Sequence, residues 1–124
     1  MGRVNQNMTI TLKNLHLATE QEVFDQVANH LLTQKRKSKD GGIYCKYRDS
    51  KGNKCAAGCL ISDKEYDETM ENISWAQLVE DRYVPHYHGV LIRDLQIVHD
   101  KEYQSRWKSA LKRVAKEYKL VFKF

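Results

Sequence analysis

The chain has 124 residues, of which 41% are apolar and 30% are charged, and its formal net charge is +5. This length and composition are typical of a single globular domain with its own core. We expect one domain over residues 1–124, with residues 1–7 as a flexible extension. No run approaches the roughly 18 apolar residues of a membrane span, and we expect no membrane partner.

The N-terminus lacks the apolar stretch of a secretory signal, and the chain has three cysteines, an odd number. Both features favour a reducing compartment, so the sequence predicts a cytoplasmic protein with free thiols.

Charged residues fall into three blocks along the chain. Residues 35–54 carry eight basic residues against two acids, residues 63–81 carry seven acids against one lysine, and residues 101–124 carry eight basic residues against two acids. This pattern indicates either pairing between surfaces of the molecule or a basic surface for an anionic partner.

The first elements are a strand and a helix. Residues 8–13 alternate loosely between apolar and polar side chains, which favours a short strand. Thr19 and Glu22 have the spacing of a capping box, and apolar residues follow at helical spacing. We therefore expect a helix over residues 20–34, followed by a basic loop.

The next element is a predicted hairpin. In DSKGN (49–53), Gly52 suits the left-handed position of a tight turn, which would pair strands 43–48 and 53–61. Alternation of strand side chains then places all three cysteines on one apolar face. The opposite face would present four candidate partner-binding residues: Tyr44, Lys46, Arg48 and Lys54.

Helical signals follow. Capping boxes at Ser62 and Ser74 predict two short helices, and Pro85 predicts a loop. Residues 90–100 have apolar residues at helical spacing, although their β-branched residues leave a strand open.

The last elements complete the predicted fold. Asp100 is placed to cap a long final helix, and the alternation of residues 120–124 predicts a terminal strand. The sum is an α+β fold, in which a small antiparallel sheet, made of the hairpin and the terminal strands, is packed by four to five helices.

The cysteines and histidines raise the question of a metal site or a nucleophile. The candidate ligands of a zinc ion are Cys45, Cys55, Cys59, His86, His88 and His99. The predicted strand puts Cys55 and Cys59 about 13 Å apart, too far for one ion unless the strand breaks at Gly58. No loop for an oxyanion is evident. We therefore favour three core thiols and no cofactor, with zinc as the alternative.

A basic ridge is predicted near the C-terminus. Lys108, Lys112 and Lys116 recur every four residues and so share one side of a helix. They could form a solvated surface paired with the acidic residues 63–81, or a site for phosphates or acids joined by the loop residues Lys35, Arg36, Lys37 and Lys39. No signature of a sequence-specific nucleic-acid-binding fold accompanies them.

Two segments carry a resemblance. Cys45-x-Tyr47-Arg48, Gly52, Cys55-Ala56-x-Gly58-x-Leu60-Ile61-x-Asp63-x-x-Tyr66 and the later Leu95-Gln96-x-x-His99-Asp100 resemble a pattern in small uncharacterised proteins of phages and bacteria. No activity is attached to that group. The resemblance implies a phage or prophage accessory role, such as host takeover or anti-defence.

Together these observations predict a non-enzymatic protein that binds a host protein or a nucleoprotein complex through charged surfaces. One alternative is a small metal-binding or Cys/His-dependent enzyme. The other is a non-specific nucleic-acid-binding protein that uses the basic C-terminal helix.

Overall fold

The computed structural model describes residues 9–42 and 44–124. About half of the chain is helical, and the described residues contain no sheet, so the predicted α+β fold is wrong and the protein is mainly helical. The helices are α1 (Glu20–Gln34), α2 (Trp75–Glu80), α3 (Gly89–Lys101) and α4 (Trp107–Glu117). Single turns of 3₁₀ helix cover Leu15–Leu17, Gly58–Leu60, Glu68–Met70 and Gln104–Arg106.

Helix α1 has the predicted bounds because its start is capped from both sides. The Glu22 amide donates to the Thr19 hydroxyl at 3.1 Å, and the Thr19 amide donates to the Glu22 carboxylate at 2.8 Å. The helix buries one side, which includes Phe24 and Leu31. It ends at Lys35, which has left-handed backbone geometry.

Helices α1, α3 and α4 pack against one another, contribute much of the core and are called here the helical frame. Phe24 of α1, Leu95 of α3 and Leu111 of α4 are completely buried. Burying one such side chain stabilises the fold by about 1.5–3 kcal/mol. Helix α2 packs against α3, and no helix among the described residues is long and apolar enough to cross a membrane.

Neither predicted terminal strand pairs with another strand; residue 8 lies outside the described part. Instead, glutamine side chains of α1 take the place of a neighbouring strand. The Ile10 amide donates to the Gln26 carboxamide at 2.6 Å, which donates back to the Ile10 carbonyl at 2.8 Å. Gln21 pairs with the backbone of Val121 in the same way, at 2.9 and 3.0 Å.

The turn of the predicted hairpin is confirmed, but its strands are wrong. The Asp49 amide donates to the Asn53 carbonyl at 3.0 Å, and Gly52 has a φ of 85°. Pairing is limited to one bridge between Arg48 and Lys54 and one bond from Cys55. Residue 43 lies outside the described part of the chain.

The second strand is replaced by a helical turn at Cys55. The Cys59 amide donates to the Cys55 carbonyl at 3.1 Å, and the turn brings Gly58 against Tyr47. A β-carbon at Gly58 would collide with the Tyr47 carbonyl oxygen, so this approach requires glycine. The three cysteines consequently do not share one strand face.

Some of the remaining helix predictions are confirmed and others are wrong. Ser74 caps α2 as expected, but Ser62 begins only a turn. The Ser62 amide donates to the Glu65 carboxylate, which is one half of the predicted capping box, and that carboxylate also accepts from the amides of Leu12 and Lys13. Residues 90–100 are helical, and Asp100 lies in the last turns of α3 and does not cap α4.

Residues 35–74 connect α1 to α2 and are called here the linking segment. Apart from two 3₁₀ turns and the bridge, its described residues have no regular structure. Long connections of this kind inside a small domain are uncommon and often carry function. The candidate site described next is built largely on this segment.

Candidate functional site

A cavity of about 620 Å³ lies between the linking segment, the start of α2 and one side of α3. We call it the Trp75 cavity. Its lining is largely apolar and aromatic, with a few polar side chains among it. The residues used below are Tyr44, Tyr47, Trp75, Arg93, Ile97 and Asp100.

One wall of the cavity belongs to a buried polar network centred on Asp100. Its carboxylate oxygen Oδ1 accepts from Gln96 Nε2 at 2.7 Å and from His99 Nδ1 at 2.8 Å. Gln96 in turn accepts from the Ala57 amide at 2.8 Å. The network therefore joins α3 to the turn that follows the hairpin.

Asp100 is ionised in this setting. Burial acts to raise the pKa of Asp100, but the hydrogen bonds from His99 and Gln96 outweigh it and hold the pKa below its ordinary value. Its side chain is still 34% exposed, so it offers an anionic acceptor on the cavity wall.

The tautomer of His99 is fixed by its neighbours. The Ser38 backbone N–H can only donate, and it points at Nε2 of the fully buried His99 at 3.0 Å. Nε2 must therefore accept, which places the ring proton on Nδ1, where it is donated to Asp100. Both ring nitrogens are thus occupied.

Cys45 completes a group with the ligand types of a metal site. Its Sγ, a ring nitrogen of His99 and a carboxylate oxygen of Asp100 lie within 4.8 Å of one another. Metal binding through Nδ1 would need the ring proton on Nε2, directly against the Ser38 N–H. The hydrogen bonds therefore disfavour a metal at this group.

The same geometry disfavours a Cys45 nucleophile. Burial and then the Asp100 carboxylate raise the pKa of Cys45 to about 11, so it is a thiol at neutral pH. His99 has no free nitrogen with which to take its proton. Burial raises the pKa of Cys55 and brings that of Cys59 to about 12, so neither of these thiols is activated.

The other predicted metal ligands lie apart from this group. Cys59 donates to the Ala56 carbonyl at 3.2 Å, His88 contacts the Ala18 carbonyl at 2.8 Å, and exposed His86 stacks on Tyr87. Of the six predicted ligands, Cys45 and His99 belong to this group of three in the described chain.

Trp75 presents an unused hydrogen-bond donor. Its side chain is 5% exposed and lines the cavity, and its indole Nε1 has no hydrogen-bond partner within residues 9–42 and 44–124. A buried donor without a partner costs about 1–3 kcal/mol. This nitrogen exposes less than 1 Å², so it is not open to a ligand in the cavity.

Of the four residues predicted on one face of the hairpin, two line the cavity and two do not. Tyr44 and Lys46 line the cavity, and Tyr44 is 73% exposed. Arg48 instead donates to the Ile61 carbonyl at 2.8 Å and pairs with Asp63 at 2.7 Å. Arg48 is therefore occupied within the fold, and Lys54 does not line the cavity.

A second candidate site is the outer side of α4, called here the α4 basic face: Lys108, Lys112 and Lys116. These side chains are exposed. None of them forms an ion pair with another described residue, so pairing with the acidic residues 63–81 is not present in this part of the chain. The neighbouring Arg113 pairs with Glu102 at 3.5 Å.

The basic loop, residues 35–39, is connected to the start of α4 through His99. The ring of His99 accepts from the Ser38 amide and stacks on Trp107, with ring centroids 5.5 Å apart. Lys37 Nζ donates to the Asp100 carbonyl at 3.2 Å. Three loop cations remain exposed: Lys35, Arg36 and Lys39.

The chain matches no family model, no curated protein and no solved structure. Within the chain, the two segments of the motif noted above meet at the Ala57–Gln96 bond and at Cys45–Asp100. The sequence predicts Asp100 as a helix cap, whereas the structure places it on the cavity wall. Asp100 directly follows the predicted ligand His99 in the sequence, and this adjacency is the signal that could have marked Asp100 as a site residue.

Proposed function

We propose that the protein is non-enzymatic and binds a nucleic acid or nucleoprotein complex, with the α4 basic face and the basic loop against the phosphate backbone. The observation that carries this proposal is the row of three exposed lysines on α4 with no ion pair among the described residues. Their positive charge is available to a partner.

The geometry of the row suits a regular polyanion. Residues four apart on a helix rise about 6 Å along its axis, which is shorter than the Debye length of about 10 Å at 0.1 M salt. The three charges therefore act on the same stretch of a backbone that carries one charge per about 1.7 Å of duplex.

The basic loop supports the proposal because it extends the positive surface. Contacts through His99 hold the loop backbone near the first turn of α4. Lys35, Arg36 and Lys39 are exposed, so we expect them to add to the positive charge that a partner meets. This agrees with the accessory role that the resemblance to phage and bacterial proteins implies, which stays a prediction.

The absence of enzymatic chemistry is also part of the proposal. The Cys45 thiol is neutral, and the imidazole of His99 beside it has both nitrogens occupied. Such a group holds the linking segment to α3 and offers no activated nucleophile.

The proposal is tested by fluorescence anisotropy with labelled single-stranded and duplex DNA of about 20 nucleotides, over a series of salt concentrations. We expect binding that weakens with salt. The variant with Lys108, Lys112 and Lys116 all changed to Glu should bind at least tenfold more weakly at low salt. Its plot of log K against log salt, which has a negative slope, should be less steep by about 3.

The matched control changes the exposed lysines Lys13, Lys51 and Lys64 to Glu, which gives the same net charge. This variant should retain most of the affinity. Equal losses in both variants, or no binding to either nucleic acid at low salt, would overturn the proposal. In the latter case an acidic protein becomes the partner to seek.

A further inference from the structure

We propose that the Trp75 cavity binds one nucleotide, with its base inside the cavity and its phosphate at the rim. The inference does not rest on the α4 basic face, which contributes no lining residue. Three independent features of the cavity lead to it: its walls, its hydrogen-bonding groups and the cations at its opening.

The walls suit a flat heteroaromatic ring. Tyr47 and Trp75 lie with their ring centroids 6.3 Å apart, and Ile97 adds an apolar side chain that is 47% exposed. Tyr44 is 73% exposed and is free to close over a bound ring. The volume of about 620 Å³ lies within the roughly 300–1,000 Å³ of small-molecule pockets, well beyond the needs of one side chain.

The polar groups suit the edge of a base. Asp100 supplies an ionised acceptor on the cavity wall, with its side chain 34% exposed. A base with an exocyclic amino group carries a donor on its edge. Such a base would place its amino group against the Asp100 carboxylate.

The cations at the opening suit a phosphate. Arg93 is 61% exposed, and its only ion pair among the described residues is with its neighbour Asp94 at 3.3 Å. It precedes Asp100 by seven residues on α3, about 10 Å along the helix axis. Lys46 lies on the same rim, paired with Asp40 at 3.5 Å. A base against Asp100 therefore leaves its phosphate near Arg93.

The nucleotide could be a free mononucleotide or one unstacked unit of a single strand, since both present the same chemistry. Isothermal titration of the full chain with AMP, GMP, CMP and UMP tests the first source. A single-stranded tetranucleotide, titrated into the variant with all three α4 lysines changed to Glu, tests the second without the α4 basic face.

We expect saturable binding of at least one amino-bearing nucleotide, free or in the strand, and weaker binding of UMP. Ala76→Trp should abolish it, because Ala76 is exposed and lines the cavity, so a bulky side chain there fills the opening without burial in the core. Gln77→Trp is the matched control, since Gln77 is exposed on the same helix but does not line the cavity.

The proposal is overturned if no nucleotide or tetranucleotide binds at millimolar concentration, or if Ala76→Trp binds as well as the control. Loss of duplex binding by the α4 variant with retention of nucleotide binding would separate this inference from the proposed function.

Discussion

The helical frame and the linking segment are stabilised in different ways. The frame buries large apolar side chains such as Phe24, Leu95 and Leu111. In the linking segment, many backbone groups bond to side chains that are distant in sequence. The Glu71 carboxylate accepts from the amides of Tyr47 and Arg48 at 3.0 and 3.2 Å.

The difference shows how a chain without a sheet can still fix a long irregular segment. Carboxylates and carboxamides supply the acceptors and donors that a neighbouring strand would otherwise provide. Apolar burial is tolerant of small shifts, whereas a hydrogen bond to one backbone group requires a defined geometry. The segment should therefore respond to single polar substitutions, and the frame to loss of apolar volume.

The largest effect is expected in the frame. Leu95→Ala removes a completely buried side chain from the middle of α3 and should lower the free energy of unfolding by about 3 kcal/mol, because a cavity remains. Urea denaturation followed by circular dichroism measures it. A loss below about 1 kcal/mol would show that the frame does not depend on close apolar packing.

A smaller and more local effect is expected in the linking segment. Glu71→Ala leaves two backbone amides and the Tyr66 hydroxyl without their acceptor, which should cost about 2 kcal/mol. Limited trypsin digestion should then cut after Arg48 and its neighbours first, while helix content stays unchanged. The exposed Glu68, changed to Ala, is the control. If helix content falls together with the resistance of the linking segment to trypsin, the two regions are not stabilised separately.

The smallest effect is expected at Asp100, whose polar network connects α3 of the helical frame to the linking segment. Its native pKa lies below the ordinary value of 3.8, so its contribution to stability is present above that pH and is lost as the pH falls through the native pKa. Asp100→Asn should lower the stability at pH 7 by about 1 kcal/mol, since neutral hydrogen bonds are weaker.

The Asn variant should also lose less further stability than the wild type as the pH falls from about 5 to 3. Denaturant unfolding at several pH values measures both profiles, with the exposed Asp81 changed to Asn as control. Parallel profiles for wild type and Asp100→Asn would show that Asp100 does not couple folding to pH.

The sequence predicts those parts of the fold that depend on neighbours within one turn. The capping box and apolar period place α1 at its observed bounds, and Gly52 marks the turn. The strand predictions are wrong because alternation of apolar and polar residues indicates an extended chain but does not indicate what that chain bonds to. At Ile10 and Val121 that partner is a glutamine side chain of α1, which no local pattern reveals.

The candidate site was predicted in part for the same reason. Tyr44, Cys45 and Lys46 were singled out and do line the cavity. Trp75 and Asp100 were not, because their role depends on contacts across long separations in the sequence. The Ala57–Gln96 bond, which sets the cavity against α3, spans 39 residues.

The glutamine bonds on α1 bear on how the protein can be re-engineered. Gln21 and Gln26 hold the two terminal segments five residues apart on one helix, about 7.5 Å along its axis. A circularly permuted chain, joined by a short linker and opened at the exposed Lys51–Gly52 turn, would keep α1 to α4 uninterrupted. Its new ends would then emerge from the linking segment.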